Sequence, residues 1–413
     1  MKKCGLLGEK LGHSYSPEIH AELAEYEYLL YEKRAEDVED FVRNGDWDGL
    51  NVTIPYKKTV LPYCDRLSET ARRIGSVNTL VRGKDGSIYG DNTDAYGFQK
   101  LLERCHIDPA GKKAVVLGSG GASVMAQKVL EDLRSRDIVT ISRTGVNNYK
   151  NLERNSDADI LINTTPVGMY PNNGKSVVEI SAFDNLSGVI DVIYNPARTE
   201  LLMDAEQMGI PFANGLYMLV AQAKRSAEQF AGIEIADSEI ERIEKKLTSQ
   251  MQNIILIGMP GSGKSTVSAL LSEMTGKKMV EADTEIENDA DMSIQEIFQK
   301  EGETGFRDRE NRILNEIGKQ SGLVISTGGG CVTRLDNYPA LHQNGTIVYI
   351  TRSIDSLARD GRPLSVGADL QAMFRKREPL YKAFADITVE NEGAPQQTAE
   401  RILEALRSSG ENV

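Results

Sequence analysis

The sequence predicts an α/β protein built from several sheet units in series. Short apolar segments alternate with amphipathic helical stretches along almost the whole chain, the pattern of sheets covered by helices. Two glycine-rich loops, Gly118-Ser119-Gly120-Gly121-Ala122-Ser123 and Gly258-Met259-Pro260-Gly261-Ser262-Gly263-Lys264-Ser265, each follow a strand-like run and open a helix-like one. In that setting backbone N–H groups point toward phosphate oxygens. At 413 residues the chain is long enough for about two to three domains.

The composition is that of an ordinary soluble globular protein, with 40% hydrophobic and 26% charged residues. A net charge of −13 argues against nucleic acid as the main partner. The 4 cysteines, Cys4, Cys64, Cys105 and Cys331, are widely spaced and form no C-x-x-C pair. They read as reduced thiols, without a disulfide frame or zinc site. Lys2-Lys3 precede an apolar run that Glu9 and Lys10 end too early for a signal peptide, and no run has the length of a membrane span. The expectation is a cytoplasmic protein that meets small molecules rather than nucleic acid or membrane, as a monomer or a homodimer. Neither solenoid repeats nor low-complexity blocks interrupt it.

In chain order, strands are expected at Lys3–Leu7, Tyr28–Lys33, Gly49–Ile54 and Ser76–Arg82, the last turning at Lys84-Asp85-Gly86 into Ser87–Gly90. Helices are expected from Pro17 to Glu27, with Ser16 as cap, over Glu36–Asn44 and Ser68–Ile74, and from Asn92 to Arg104. A dinucleotide-type unit follows: strand Lys113–Leu117, the glycine loop, helix Val124–Leu133 and strand Asp137–Ser142. Further strands fall at Asp159–Asn163, Gly188–Ile193 and Ile210–Ala213, and helices at Glu200–Met208, Leu216–Ala231 and Asp237–Leu247. The charged stretch Glu241–Gln252 reads as a linker. Beyond it lies the phosphate-loop unit, to about Leu406. The expected domains are 1–103 completed by helices from 215–248, then 104–214, then 249–413.

The second glycine loop fits G-x-x-x-x-G-K-[ST] at every fixed position, between the apolar strand Asn253–Ile257 and a helix start. Lys264 would reach the β- and γ-phosphates of a nucleoside triphosphate, and Ser265 would hold Mg²⁺. The first loop is a G-x-G-x-x-S variant of the dinucleotide fingerprint. The next strand ends Ile141-Ser142-Arg143-Thr144, without the acidic residue that binds ribose hydroxyls in an NAD site. Arg143 with flanking hydroxyls suits the 2′-phosphate of NADP, although a solvated loop arginine would look the same.

The N-terminal region also carries a scattered polar set, Ser14, Ser16, Asn51, Thr53, Lys57, Asn78 and Asp94, several near strand ends where one cleft could collect them. Each has a plainer reading. Ser16 could cap the Pro17 helix, Thr93 or Asp94 the next one, and Lys57 could be one of two solvated charges with Lys58.

His13-Ser14-Tyr15-Ser16-Pro17, Asn51-Val52-Thr53-Ile54-Pro55-Tyr56-Lys57, Ser76-Val77-Asn78-Thr79 and Asp91-Asn92-Thr93-Asp94 occur in this order. Together they resemble the successive signatures of the shikimate dehydrogenase family. Met218-Leu219-Val220-Ala221-Gln222-Ala223 resembles its late helix motif, and the resemblance covers Met1 to Leu247. It implies an α/β substrate domain and an NADP-binding Rossmann domain. It further implies that Ser14, Ser16, Thr53, Asn78 and Gln222 hold the carboxylate and hydroxyls of the ring, and that Lys57 and Asp94 are the catalytic pair. Gly118, Gly120, Gly121, Ala122, Ser142, Arg143, Thr144, Thr165, Tyr194 and Gly215 would take the cofactor, with Asn163-Thr164-Thr165-Pro166 and Tyr194 on the nicotinamide side. The Ser-x-Ser form favours shikimate over quinate. An acidic neighbour favours the charged lysine, so Lys57 is expected to rest protonated.

In the second half, Glu281-Ala282-Asp283, Phe306-Arg307, Thr327-Gly328-Gly329-Gly330, Arg362-Pro363-Leu364 and Lys376-Arg377-Glu378-Pro379-Leu380-Tyr381 stand out. Two arginine forks suit a carboxylate ligand; either alone could be a surface ion pair. The set resembles the shikimate kinase family from Asn253 to Leu406, which implies a nucleoside-monophosphate-kinase-like parallel α/β domain. By that resemblance Asp283, Arg307, Gly329, Gly330 and Arg377 bind shikimate, and Asp283 orients the attacking hydroxyl. Gly261, Ser262, Gly263, Lys264, Ser265, Thr266, Arg359 and Arg362 would hold ATP, with Arg362 stabilising the transferred phosphoryl group from a lid. Two features depart from the family pattern. Glu281 stands where Asp is usual, which moves the carboxylate by about 1.5 Å, one C–C bond, and bears on its reach to a Mg²⁺-bound water. The lid, Asp360–Val366, is compact, so some idle ATP hydrolysis is expected. The two halves join chemically, because the product of the first is the substrate of the second. The alternatives are a quinate/shikimate dehydrogenase with relaxed NAD use fused to the same kinase, a half reduced to a non-catalytic module, and a nucleotide kinase.

Overall fold

The computed structural model describes residues 1–12, 14–357 and 370–409. The chain divides into two compact units, Met1–Val167 with Ser176–Tyr194 and Asp204–Lys246, and Gly168–Lys175 with Asn195–Met203 and Leu247–Val413.

The first unit holds two sheets. One contains β1 (Lys3–Gly8), β2 (Glu27–Glu32), β3 (Gly49–Val52), β4 (Arg66–Leu67), β5 (Thr79–Arg82) and β6 (Ile88–Asp91) in the order β2-β1-β3-β5-β6-β4. β1 runs parallel to both neighbours, whereas β5 is antiparallel to β3 and to β6. The C-terminal ends of β1, β3 and β6 and the N-terminal end of β5 therefore share one sheet edge. Buried under this sheet are Leu7, Leu50, Val52, Leu80, Val38, Val42 and Trp47.

The second sheet is entirely parallel: β7 (Lys113–Leu117), β8 (Asp137–Ile141), β9 (Ile160–Asn163), β10 (Gly188–Asp191) and β11 (Phe212–Ala213), in the order β11-β10-β9-β7-β8. Every residue of β7 and β9 is buried, as expected for strands covered on both faces. All the loops that leave β7, β8, β9 and β10 open on one edge, where doubly wound sheets bind ligands.

The second unit carries a third parallel sheet, with β12 (Asn253–Ile257), β13 (Lys278–Glu281), β14 (Leu323–Ser326), β15 (Gly345–Thr351) and β16 (Ile387–Glu390) in the order β13-β14-β12-β15-β16. Strand alternation splits the side chains of β12 between two cores. Ile255 and Ile257 pack with Phe306, Leu314 and Tyr381, while Ile254 and Leu256 pack with Val267, Leu271 and Ile402.

Several expected boundaries move. The first helix spans Ser16–Leu23, capped at Tyr15 with no side-chain bond. β5 starts at Thr79, which leaves Asn78 just outside the ladder. The dinucleotide helix begins at Gly121. The helix expected over Asp237–Leu247 is present as Ser238–Met251 and runs on through most of the expected linker Glu241–Gln252. Its charges masked a helical stripe, Ile240, Ile243, Leu247 and Met251, whose exposures are 0, 1, 1 and 8%. Burying each such side chain contributes about 1.5–3 kcal/mol, enough to set helix over coil in a polar stretch. Gln252 alone separates this helix from β12.

Candidate active sites

The first site forms where β1, β3, β5 and β6 share an edge. Lys57 follows β3, Asn78 precedes β5, and Asp94 lies in the first turn of the helix Thr93–Arg104 that leaves β6. Lys57 Nζ donates to Asp94 Oδ2 at 2.6 Å, and Asn78 Nδ2 donates to Asp94 Oδ1 at 2.9 Å. Asn78 Nδ2 also lies 3.5 Å from Gln222 Oε1, on the helix Leu216–Ala231. Gln222 Nε2 is tied to the Leu219 carbonyl at 2.9 Å. The plainer readings of these residues fail on geometry. Asn92, not Asp94, is the helix cap, and it makes no side-chain cap bond. Lys58 is exposed while Lys57 is half-buried. Ser14 and Ser16 follow β1 and Thr53 follows β3, at the same edge; Ser14 Oγ accepts from the Ser16 N–H at 3.2 Å. His13 lies outside the described residues.

On the parallel sheet of the same unit, Gly118 to Gly121 leave β7. At Gly120 and Gly121 a Cβ would meet nothing within 4 Å, so the helix N-terminus stands open to a pyrophosphate. Ala122 lies in the first turn of that helix. Ser142, Arg143 and Thr144 leave β8; Arg143 is exposed, and Ser142 Oγ donates to the Thr144 carbonyl at 2.7 Å. After β9, buried Asn163 organises the loop: its Oδ1 accepts from Thr165 N at 3.0 Å and Thr165 Oγ1 at 2.8 Å, and its Nδ2 donates to Asp191 Oδ2 at 3.0 Å. Asp191 Oδ1 in turn accepts from Ile193 N at 3.0 Å, which braces the chain before Tyr194. The Tyr194 ring meets Tyr15 edge-on at 6.2 Å. Gly215 donates its N–H to the Ile193 carbonyl at 3.0 Å. These groups suit a dinucleotide: an open helix terminus, a cation after the second strand and a braced loop after the third.

The second unit's site lies at the C-terminal edge of its sheet. Gly263, at φ +94°, turns the phosphate loop into the helix Lys264–Thr275, a conformation that costs glycine little. Lys264 is buried, with Nζ on the carbonyls of Gly258 at 2.9 Å and Met259 at 3.1 Å. Gly261 and Ser262 are buried in the loop; Ser262 Oγ makes no hydrogen bond among the described residues, and its carbonyl accepts from Asn391 Nδ2 at 2.6 Å. Ser265 and Thr266 are exposed on the first helical turn. The buried loop, its lysine and that hydroxyl fit a nucleoside triphosphate, and Ser265 is free to face its Mg²⁺.

Across from the loop, Glu281 ends β13 and Asp283 starts the helix Ala282–Ala290. Burial pushes the Asp283 carboxyl above its usual range; Lys264 opposes the shift and Glu281 adds to it. Arg307 Nη1 donates to Glu310 Oε2 at 2.6 Å, and the two side chains are 10% and 1% exposed. Among the described residues, Arg307 Nε and Glu310 Oε1 are buried without a hydrogen bond. A Cβ on Gly330 would fall 2.1 Å from Arg307 Nη2, so only glycine admits the guanidinium there. Arg377 Nη1 donates to the Gly329 carbonyl at 3.0 Å, as does the Tyr381 hydroxyl. Two arginines and a carboxyl of raised basicity thus gather beside the phosphate loop, a fit for a hydroxylated carboxylic acid. Arg359, Arg362 and the compact lid Asp360–Val366 lie outside the described residues.

The family model described as the shikimate dehydrogenase substrate-binding domain matches residues 6–80, and the shikimate kinase model matches residues 260–407. The NADP⁺-dependent shikimate dehydrogenase of Clostridium perfringens is 39% identical over 268 residues, 60% of this chain and 98% of that enzyme. The chain belongs to the shikimate dehydrogenase family. The crystal structure of a chorismate mutase/shikimate 5-dehydrogenase fusion from Clostridium acetobutylicum is 38% identical, with a TM-score of 0.57, over 60% of this chain and 97% of that one. The Thermus thermophilus shikimate dehydrogenase, solved with NADP(H) and shikimate, is 28% identical, with a TM-score of 0.53, over 60% of this chain and 99% of that one. The part of the chain beyond the region similar to these dehydrogenases holds the match to the shikimate kinase model.

Sequence reasoning missed several groups. Thr79 and Thr93 lie inside quoted motifs, yet their buried hydroxyls bond the site from beneath. Glu310 stands three residues after Arg307, and that helical spacing was the available signal. Asn391, which holds the phosphate loop from the end of the edge strand β16, has no local signature.

Proposed function

We propose that the chain catalyses two consecutive steps of aromatic amino-acid biosynthesis: NADPH-dependent reduction of 3-dehydroshikimate to shikimate, then phosphorylation of the shikimate 3-hydroxyl by ATP. The observation that carries the reading is the Lys57–Asp94–Asn78–Gln222 cluster, assembled from four separate segments in a chain that also holds a complete phosphate-loop site. We assign residues 1–103 with the helices from 215 onward to the substrate domain, 104–214 to the NADP domain and 249–413 to the kinase. We place the enzyme in the cytoplasm, in keeping with four free thiols.

Bound NADPH supplies the hydride. Lys57 donates the proton to the developing alkoxide and stabilises its charge. Asp94 aims the ammonium and accepts from the adjacent ring hydroxyl. Asn78 and Gln222 bind the ring, and Ser14, Ser16 and Thr53 its carboxylate. Arg143 takes the 2′-phosphate, beside the loop from Gly118 to Ala122.

In the kinase, Arg307 and Arg377 hold the carboxylate of shikimate against Gly329 and Gly330, and Asp283 orients the attacking hydroxyl and accepts its proton. Lys264 leaves its loop carbonyls for the β- and γ-phosphates. Ser265, and Glu281 through a water, would hold Mg²⁺, which would supply positive charge against the phosphates. The test is to supply 3-dehydroshikimate, NADPH and Mg·ATP to the purified chain and follow NADPH consumption and product. Shikimate 3-phosphate formed at one equivalent per NADPH is expected; shikimate accumulating without phosphate, or no NADPH oxidation, would refute one half or the other.

A further inference from the structure

Beneath the Lys57–Asp94 pair lies a buried chain of hydrogen bonds that the mechanism does not use, and it has a direction. Asn51 Oδ1 accepts from the Tyr28 hydroxyl at 2.8 Å, with Ser226 Oγ, whose proton goes to the Ala223 carbonyl at 2.9 Å, 3.4 Å away. An amide oxygen so engaged leaves its NH₂ to face the other way. Asn51 Nδ2 indeed meets Thr79 Oγ1 at 3.4 Å. With a lone pair so used, the single Thr79 hydroxyl proton is left for Asn78 Oδ1, at 3.1 Å, or for Thr93 Oγ1, at 3.0 Å. Asn78 Oδ1 also receives the Thr93 N–H at 2.7 Å. Donors crowd that oxygen, so the Asn78 NH₂ must point out, one proton on Asp94 Oδ1. In the flipped amide two acceptors would face each other. Thr93 Oγ1, relieved of donating to Thr79, can extend the chain to Gln222 Oε1 at 3.5 Å.

We propose that Thr79, which is fully buried and reaches no ligand, is a positioning residue of the dehydrogenase. Its hydroxyl relays the orientation of Asn51 to Asn78, acts with the Thr93 N–H to fix which face of the Asn78 amide meets Asp94, and so helps to hold Asp94 on Lys57. The proposal rests on the dehydrogenase reading of this site. It accounts for a threonine where strand packing alone would accept valine, since a hydroxyl buried in an apolar strand costs free energy unless both its hydrogen-bonding roles are filled.

The experiment uses the full chain with Thr79→Val, which keeps the shape and removes the hydroxyl, and Thr79→Ser, which keeps the hydroxyl. Shikimate oxidation and 3-dehydroshikimate reduction are measured for both, with the kinase activity of the same molecule and the melting midpoint as internal controls. Thr79→Val should lower dehydrogenase kcat about tenfold, the weight of one buried hydrogen bond, with the KM for NADPH and the kinase rate unchanged and the melting midpoint lower by only about 2–4 °C. Thr79→Ser should recover turnover to within about twofold. Turnover of Thr79→Val near that of the unmodified chain overturns the proposal. So does a Thr79→Ser variant as slow as the valine one, or a joint loss of both activities with a lower melting midpoint. An unmodified chain that oxidises no shikimate overturns the dehydrogenase reading and this proposal together; an active unmodified chain with an unaffected valine variant overturns this proposal alone.

Discussion

Lys57 Nζ and Asp94 Oδ2 lie 2.6 Å apart although 37 residues separate them in the chain. The contact exists because β3, β5 and β6 pair in register, Asn51 beside Thr79 and Thr79 beside Asp91, which delivers both loops to one edge. Replacing Lys57 by alanine should lower dehydrogenase kcat about 10²–10⁴-fold, the usual weight of a positioned general acid, with little change in the KM for shikimate. Steady-state kinetics with the kinase rate as reference decides it; near-normal turnover at saturating substrate would exclude Lys57 as the proton donor.

Arg143 is exposed just after β8, so its contribution to the empty fold is small, and on the proposed reading it would bind the 2′-phosphate of NADPH. A charge-assisted hydrogen bond is worth about 1.5–3 kcal/mol. Arg143→Ala should therefore raise the KM for NADPH about tenfold or more and leave that for NADH nearly unchanged. Parallel titrations with both cofactors give the ratio, and an equal rise for NADH would show that Arg143 shapes the loop rather than reading the phosphate.

The sites were legible where function concentrates residues in short contiguous stretches. Asn78 and Asp94 stand in quoted motifs, and the phosphate loop announces itself through glycines that its backbone requires. What stayed hidden obeys a different rule. Thr79 and Glu310 act from beneath, through side chains that look like ordinary strand or helix polars until burial is known. The segment Glu241–Gln252 misled because its charges dominate composition, while Ile243, Leu247 and Met251, continuing the stripe from Ile240 at helical spacing, decide its structure. Asn391 reaches Ser262 only through the pairing of β16 with β15 and of β15 with β12, a tertiary fact without a local trace.

Glu310 is the sole side chain hydrogen-bonded to Arg307 among the described residues, and it is 1% exposed. Removing one partner of a buried ion pair strands the other and costs about 3–5 kcal/mol. Glu310→Ala should therefore destabilise the kinase part, less than fully because Glu303 Oε1 still lies 3.7 Å from Arg307, and by loosening Arg307 should raise the kinase KM for shikimate about tenfold, with the KM for ATP and the dehydrogenase rate unchanged. Isothermal titration with shikimate provides an independent reading. An unaltered affinity would mean that Arg307 finds its position without Glu310.

Glu244 tests the helix that replaced the expected linker. Burial pushes its carboxyl up to about 7 from 4.5, against the pull of Arg104, and Glu241 adds to the rise. A carboxyl whose folded pKa is raised holds its proton in the native state after the unfolded chain has released it. Its contribution to stability is therefore complete below about pH 4.5 and is lost as pH climbs to about 7, where the native helix carries a half-buried negative charge. Glutamine mimics the protonated form at every pH. Glu244→Gln should match the unmodified chain near pH 5 and melt about 2–4 °C higher near pH 8, the shift expected from about 1 kcal/mol in a unit of this size. Thermal melts of both proteins across that range measure the difference. A gap that is constant with pH would trace the effect to packing, and a gap that opens toward acid would reverse the sign assigned to burial at Glu244.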